Sequence, residues 1–231
     1  MKLVYTIAAC DEHEELTQLL TQLTSKTPFE DYAIVVVIDT TKINAQMMAT
    51  VAYFSVNPKI EFVDNAFNGN FSDLKNLMNS MATNYNCRWI FNIDADETPT
   101  DEFLRDIELI LSAADDSDVD AISIPRANYV HGITDYHINR WGWIVDTHGR
   151  INWPDYQVRL YRNLPRLVWS GTVHETLSGI TRLWPLPDKE IRTDTGEATT
   201  HPPLYFLKHP KTIERQERQN SLYAAMIHGT A

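Results

Sequence analysis

Four short apolar runs, at positions 3–8, 33–38, 59–63 and 89–93, punctuate the first hundred residues, and each gap between them carries a helical pattern. A run apolar on both faces suits a parallel strand covered by helices, and parallel neighbours need a crossover of a dozen residues or more. The first gap opens on Asp11-Glu12-His13-Glu14-Glu15, acidic where a helix dipole favours it, and continues with Leu16, Leu19, Leu20 and Leu23 before Pro28. The second spans Ile43 to Phe54 and the third Phe71 to Thr83, with Ser72 as its expected cap. A fourth helix begins at Thr100 and carries Phe103, Leu104, Ile107, Ile110 and Leu111; a fifth strand, Val119 to Ile124, is expected to stop at Pro125. This alternation predicts an α/β fold, a doubly wound and mainly parallel sheet flanked by helices.

The fourth run, Trp89-Ile90-Phe91-Asn92-Ile93, ends in Asp94-Ala95-Asp96-Glu97-Thr98. Ligands of open α/β sheets gather at the carboxyl ends of the strands, where these two aspartates fall. Two carboxylates leaving a strand suit either a hard divalent cation that holds nucleotide phosphates or a polar connection that caps the next helix.

From Arg126 the regular alternation gives way to aromatics, His, Gly and Pro, including Tyr129, His131, Tyr136, His137, Trp141, Trp143, His148, Trp153 and Tyr156. Rigid flat side chains on irregular backbone suit a substrate-facing region, or a loop-rich segment filling its own small core. Tyr156 to Tyr161 alternates as a strand, with Arg166 to Trp169 as its expected partner; a late strand is expected at Leu204 to Leu207 and a last helix at Pro210 to Ile227. No repeat or linker divides the 231 residues, so one domain is expected, 1–125 forming one functional half and 126–231 the other.

Composition removes several classes. A net charge of −11 disfavours nucleic acid as a partner. The eight glycines form neither G-x-G nor G-K-[ST], so a phosphate loop and a dinucleotide fingerprint are absent, and so is G-x-S-x-G. Cys10 and Cys87 read as buried free thiols, and zinc motifs are lacking. The N-terminus meets charge too early for a signal peptide and no run approaches the ~20 apolar residues of a membrane span, so a cytoplasmic location is expected.

Five blocks, in order, resemble the GT-A-fold (Rossmann-like) glycosyltransferases of family 2, particularly small soluble lipopolysaccharide-core-type and phage-borne members. Thr6 to Glu12 resembles the opening strand and its N-E-E continuation, with Asp11 for the usual Asn. Asn70-Phe71-Ser72-Asp73-Leu74-Lys75-Asn76 resembles D-F-x-x-x-R-N, with Lys75 for arginine. Ile93 to Glu97 matches the L-D-A-D-E form of the metal motif, and Trp169 to Glu175 resembles W-x-G-x-V-H-E, preceded by Arg159 to Arg162. Leu207-Lys208-His209 is the fifth and weakest block.

The resemblance implies a nucleotide-diphospho-sugar donor, a UDP-sugar foremost, and a saccharide or other hydroxyl as acceptor. Asp39 is expected at the nucleobase, with Ala8, Ala9 and Asp11 lining the same pocket and Asp94 close by. Lys75 is expected to face the diphosphate as a point charge. Asp96 is the expected ligand of Mn²⁺ or Mg²⁺, completed by His209, the metal neutralising charge on the leaving group. Inverting transfer needs a base, for which Glu175 is the candidate, with Asp155 and Asp146 in reserve and a salt bridge to Arg159 or Arg162 as the structural alternative. Trp141, Trp143, Asp155, Trp169 and His174 are expected on the acceptor side. D-x-D-x-T also resembles the first motif of haloacid-dehalogenase-type phosphatases, with Asp94 as nucleophile, but no Gly-Asp dipeptide follows to complete that family's metal site. An inactive sugar-nucleotide-binding protein is the third reading.

Overall fold

The computed structural model describes residues 1–193, 198–201 and 203–227. Strands β1 (Leu3–Ala9), β2 (Tyr32–Asp39), β3 (Ile60–Asn65) and β4 (Trp89–Asp94) alternate with helices α1 (His13–Lys26), α2 (Ala45–Phe54) and α3 (Phe71–Thr83). They line up as β3-β2-β1-β4, all parallel, with Leu3 in register with Tyr32 on one side and Trp89 on the other. Alternate residues feed two cores. Leu3, Tyr5, Ile7, Ile34, Val36, Trp89 and Phe91 pack with Leu16, Leu19, Leu20 and Leu23 of α1. Val4, Val35, Val37 and Ile90 pack on the other face with Met78 and Ala82 of α3. Complete burial of a large apolar side chain is worth about 1.5–3 kcal/mol, so these strands accept no slip in register.

Past Asp94 a two-residue strand β5 (Thr98–Pro99) leads into α4 (Asp101–Asp116), whose buried Phe103, Leu104, Ile107, Ile110 and Leu111 extend the first core. Thr100 caps α4 by accepting the Phe103 N–H at 3.3 Å. At α3 the cap is Asn70, which accepts the N–H groups of Ser72 and Asp73, rather than the expected Ser72. The Asx side chain two positions earlier reaches both orphan donors.

The second half is more regular than its composition suggests. Strand β6 (Ala121–His131) runs through Pro125 instead of stopping there, and α5 (Asp135–Trp141) links it to the long antiparallel β7 (Ile151–Arg162). Proline is tolerated because β6 changes partner at that point: one edge pairs residues 121–123 with β10 (Leu183–Pro185) and residues 126–131 with β13 (Leu207–Thr212). The missing N–H falls between the two ladders. β8 (Val168–Ser170) does not join β7; it forms a hairpin with β9 (Thr176–Ser178) beside α3. β11 (Glu190–Thr193) and β12 (Ala198–His201) form a separate hairpin, and α6 (Ile213–Ile227) ends the described chain.

The full sheet reads β3-β2-β1-β4-β7-β6-β13-β5, mainly parallel, with β10 also on β6. The late strand therefore lies three residues beyond its expected start and is continuous with α6. It alternates buried and exposed, placing Leu207, His209 and Lys211 on one face. Among the described residues no helix is long and apolar enough to cross a membrane. Cys10 and Cys87 are free.

Candidate active site

The aspartate motif forms a tight turn at the end of β4. The Ala95 N–H donates to Ala8 O at 3.2 Å, tying the turn to the end of β1, and the Glu97 N–H returns to Asp94 O at 2.9 Å. Glu97 is completely buried. Its carboxylate accepts the Asp94 N–H at 3.1 Å, Arg126 Nη1 at 2.9 Å and Arg159 Nη2 at 2.6 Å. Arg159 also grips Asp94 Oδ2, and Arg126 reaches Asp155 at 2.6 Å. Asp155 further accepts Asn128 at 2.9 Å and Gln157 at 2.7 Å. A ladder of alternating charge thus runs Asp94–Arg159–Glu97–Arg126–Asp155 through the sheet. Burial opposes ionisation of Asp94, but the charges of Arg159 and Lys75 outweigh it and bring its pKa to about 2.

Asp96 points the other way, toward β13 and α6. Its Oδ2 lies 3.3 Å from His209 Nε2, 3.5 Å from Arg215 Nη2 and 3.6 Å from Lys211 Nζ. Burial would raise its pKa, yet His209, Lys211 and Arg215 together hold it far below the usual carboxylate range. His209 Nδ1 meets Asn128 Oδ1 at 2.7 Å, and an amide oxygen accepts, so the Nδ1 hydrogen is committed there. In the neutral ring Nε2 is then a lone pair facing a carboxylate oxygen, two acceptors that a shared cation reconciles. Among the described residues no group of three or more His, Cys, Asp or Glu side chains is arranged to hold a metal ion. Asp96 and His209 fit a divalent cation only as two ligands of a shell that a bound diphosphate and water would complete.

Glu175 and Lys75 meet. Lys75 Nζ donates to Glu175 Oε1 at 2.5 Å and sits 4.3 Å from the centroid of the Trp169 ring. The alternative salt bridge to Arg159 or Arg162 is not formed; Arg159 serves Asp94 and Glu97 instead. Burial lowers the Lys75 pKa, and Arg159 adds to the effect against the pull of Asp94 and Glu175. Trp169 is buried, its Nε1 donating to Tyr161 OH at 3.2 Å and its backbone clamped by Asn76, so it is a floor beneath Lys75 rather than an open acceptor surface. His174 takes φ 58° and stacks edge-on against Tyr223 of α6 at 5.7 Å. A non-glycine residue in the left-handed region is held there by its surroundings, here directly before Glu175.

At the end of β2, Asp39 Oδ1 accepts the Thr41 N–H at 2.9 Å, Thr41 Oγ1 at 2.7 Å and the Phe67 N–H at 3.3 Å. These bonds overcome the effect of burial and lower its pKa. Among the described residues Oδ2 meets only the weak donor Cys10 Sγ, at 3.8 Å. Ala8 and Ala9 close the end of β1 beside it, whereas Asp11 is exposed. Glu12 is the more integrated acid: it accepts the Cys10 N–H at 2.8 Å and Arg215 Nη2 at 2.8 Å. Trp141 and Trp143 stack at 4.6 Å on and after α5, with the Arg140 guanidinium 5.7 Å from the Trp141 ring. Asp146 is bound to Arg150 at 2.6 Å.

Lys75 pairs with Glu175, Asp96 with His209, and Asp94 lies within electrostatic reach of both Lys75 and Asp96, so these five gather at the end of β4. Trp141 and Trp143, in contrast, contact only each other and their neighbours on α5 among the described ring contacts. Sequence reasoning missed Glu97, Arg126, Arg159, Lys211, Arg215 and Glu12. The alternation of β7 and the placement of Lys211 two residues beyond His209 were usable signals; the ion pairs joining elements far apart in sequence were not.

A family model described as glycosyl transferase family 2 matches residues 6–175. Similar solved structures include S. aureus TarS 1-349 in complex with UDP, at TM-score 0.57 and 17% identity, covering 98% of this chain and 65% of that one. The same fragment in complex with UDP-GlcNAc gives TM-score 0.57 and 16% identity over 91% of this chain and 59% of that one. The chain therefore spans less than two thirds of those fragments, and a likeness at this identity concerns the fold. No curated protein matches the sequence significantly. With the order of its motifs, the GT-A arrangement of its sheet and a family match over 170 residues, the chain belongs to glycosyl transferase family 2.

Proposed function

We propose that this protein transfers a sugar from a nucleotide-diphospho-sugar to an acceptor hydroxyl, with inversion and with a divalent metal, Mn²⁺ or Mg²⁺. The observation that carries the metal requirement is the charge inventory of the cleft. Seven carboxylates (Asp94, Asp96, Glu97, Asp155, Glu175, Glu12 and Glu15) face five cations, Lys75, Arg126, Arg159, Lys211 and Arg215. A diphosphate adds two or more negative charges to a site whose cations are already engaged, so its binding calls for further positive charge. Asp96 and His209 would hold the metal, which would offset charge on the departing nucleoside diphosphate.

The chain's own residues take the remaining roles. Asp39 presents Oδ2 to a base N–H, within a pocket bounded by Ala8, Ala9 and Asp11. Glu175 is the base: Lys75 engages its Oε1 alone, leaving the second oxygen for the acceptor hydroxyl. Asp155 and Asp146 are poorer candidates, because guanidinium groups occupy both. Residues 1–125 supply most of the donor site and 126–231 the acceptor face, where Trp141, Trp143 and His174 suit the apolar faces of a saccharide. A UDP-sugar is the donor supported by the UDP-bound fold relatives.

The test is thermal stabilisation by UDP and UDP-sugars with and without Mn²⁺. Stabilisation that needs Mn²⁺ and disappears in Asp96→Asn is expected; no metal-dependent response to any nucleoside diphosphate would refute the reading. Glu175→Gln should leave UDP binding intact and slow transfer to a saccharide acceptor by about 10²–10⁴-fold.

A further inference from the structure

The hairpin that leads to Glu175 is tied to α3 by backbone bonds. Asn76 and the Trp169 backbone bond reciprocally, Nδ2 donating to Trp169 O at 2.9 Å and Oδ1 accepting the Trp169 N–H at 3.0 Å. The Phe71 N–H donates to Thr172 O at 3.1 Å. The loop between β8 and β9 closes tightly on itself: Gly171 takes φ 104°, and a Cβ there would lie 3.4 Å from Glu175 Cα. Lys75, the neighbour of Asn76, therefore meets Glu175 across a fixed joint. Its Nζ has Glu175 Oε1 at 2.5 Å and the centroid of the Trp169 ring at 4.3 Å, and only 7% of the residue is exposed.

We propose that Lys75 is the positioning residue of Glu175, holding one carboxylate oxygen so that the other faces the acceptor hydroxyl, and that it does not bind the donor's diphosphate. The proposal rests on the reading of Glu175 as the base. The family resemblance expects a diphosphate-binding cation at this position. To reach a phosphate oxygen, however, Nζ would have to leave a carboxylate and an aromatic face together, stranding a mostly buried Glu175 without its counter-ion. Asp94 at the end of β4 also attracts Lys75, so two carboxylates already share its charge, while Arg159 of β7 opposes it. Among the described residues Lys75 is the one cation paired with Glu175. With Oε1 engaged, Oε2 is the oxygen left for a proton. As the acceptor oxygen bonds the anomeric carbon, the nucleoside diphosphate leaves with the electron pair of the old C–O bond and Oε2 takes the hydroxyl proton. Lys75 keeps its own proton throughout.

The experiment compares the unaltered protein with Lys75→Met, which fills the same slot without charge, Lys75→Arg, which keeps the charge, Glu175→Gln, and the double variant Lys75→Met/Glu175→Gln. UDP affinity is read by calorimetry with Mn²⁺, and kcat and KM by UDP release from UDP-GlcNAc with water as acceptor. Lys75→Met should change UDP affinity by less than about threefold and lower kcat by about 10–100-fold at constant KM. Lys75→Arg should restore most of that kcat. In the Glu175→Gln background Lys75→Met should lower kcat by less than about twofold more, because Lys75 acts through that carboxylate. Should near-UV circular dichroism show Lys75→Met unfolded, Lys75→Gln decides by the same readouts. UDP affinity weakened by about tenfold or more in a folded variant places Lys75 on the diphosphate and overturns the proposal. So does a kcat loss that is fully additive with Glu175→Gln. Failure of the unaltered protein to bind UDP at all refutes the nucleotide-sugar reading itself, and this inference with it.

Discussion

Replacing Glu97 by alanine should be among the most damaging single changes this fold can suffer. The side chain has no solvent exposure and accepts three hydrogen bonds, from the Asp94 N–H and from Arg126 and Arg159. Arg159 is itself buried, and its Nε has no hydrogen-bond partner, so Glu97 and Asp94 are what compensate its charge. Removing one partner from such a buried pair costs about 3–5 kcal/mol, because the charge left behind is not resolvated. With a urea m-value of about 2–3 kcal/mol/M, the midpoint should fall by about 1–2.5 M at pH 7 with m unchanged. Glu97→Gln should not rescue it. Whichever way the amide is turned, its NH₂ faces either the Asp94 N–H or two guanidinium groups. Glu108→Ala is the internal control: that acid is half exposed and pairs with Lys2, so its loss should cost about 0–1 kcal/mol. A Glu97→Ala midpoint as close to the unaltered protein as that of Glu108→Ala would refute the claim that the ladder organises the turn.

Asp120 should dominate part of the acid limb of stability. Burial alone would raise its pKa, but bonds from the Thr181 hydroxyl and N–H, the Arg182 N–H and Arg166 bring it to about 2. The folded value lies below the unfolded one, so this stabilisation is complete above about pH 4 and is lost as pH falls toward 2, on the order of 2 kcal/mol in all. Asp120→Asn should therefore be destabilised at pH 6 but lose less between pH 6 and 2.5, as read by urea midpoints; equal losses in both proteins would contradict the assignment. Asn128→Ala frees the His209 ring from its Nδ1 acceptor, and Mn²⁺ affinity in the presence of UDP should fall by about 10–100-fold. An unchanged Mn²⁺ titration would remove His209 from the metal's ligands.

The parallel half of the sheet was readable because its strands are buried on both faces. Runs such as Ala33 to Ile38 admit few other fates, and the same burial pushed Asp39 and Asp94 to the strand ends. β6 was cut short because Pro125 is a strand breaker in most settings; only the exchange of one neighbour for another at that residue makes it harmless, and pairing along an edge leaves no local trace. α5 went unseen because it is a single seven-residue segment without a buried face. The pairing of Lys75 with Glu175, separated by a hundred positions, follows from α3 lying against the β8–β9 hairpin, a tertiary fact. Family resemblance named both residues but could not say that each would be the other's counter-ion.

The position of β13 sets an order of events during synthesis. The sheet from β3 to β7 and β6 can assemble from residues 3–162, and both hydrophobic cores draw most of their members from that stretch. Asp96 acquires His209, Lys211 and Arg215 only when the last strand has been made and inserts between β6 and β5. A nascent chain can therefore hold a nearly finished scaffold while this carboxylate stands without those three neighbours. Since domains fold as they emerge, N-terminal parts first, the surroundings of Asp96 are completed in one late step, and a chain interrupted before residue 207 should fold without acquiring them.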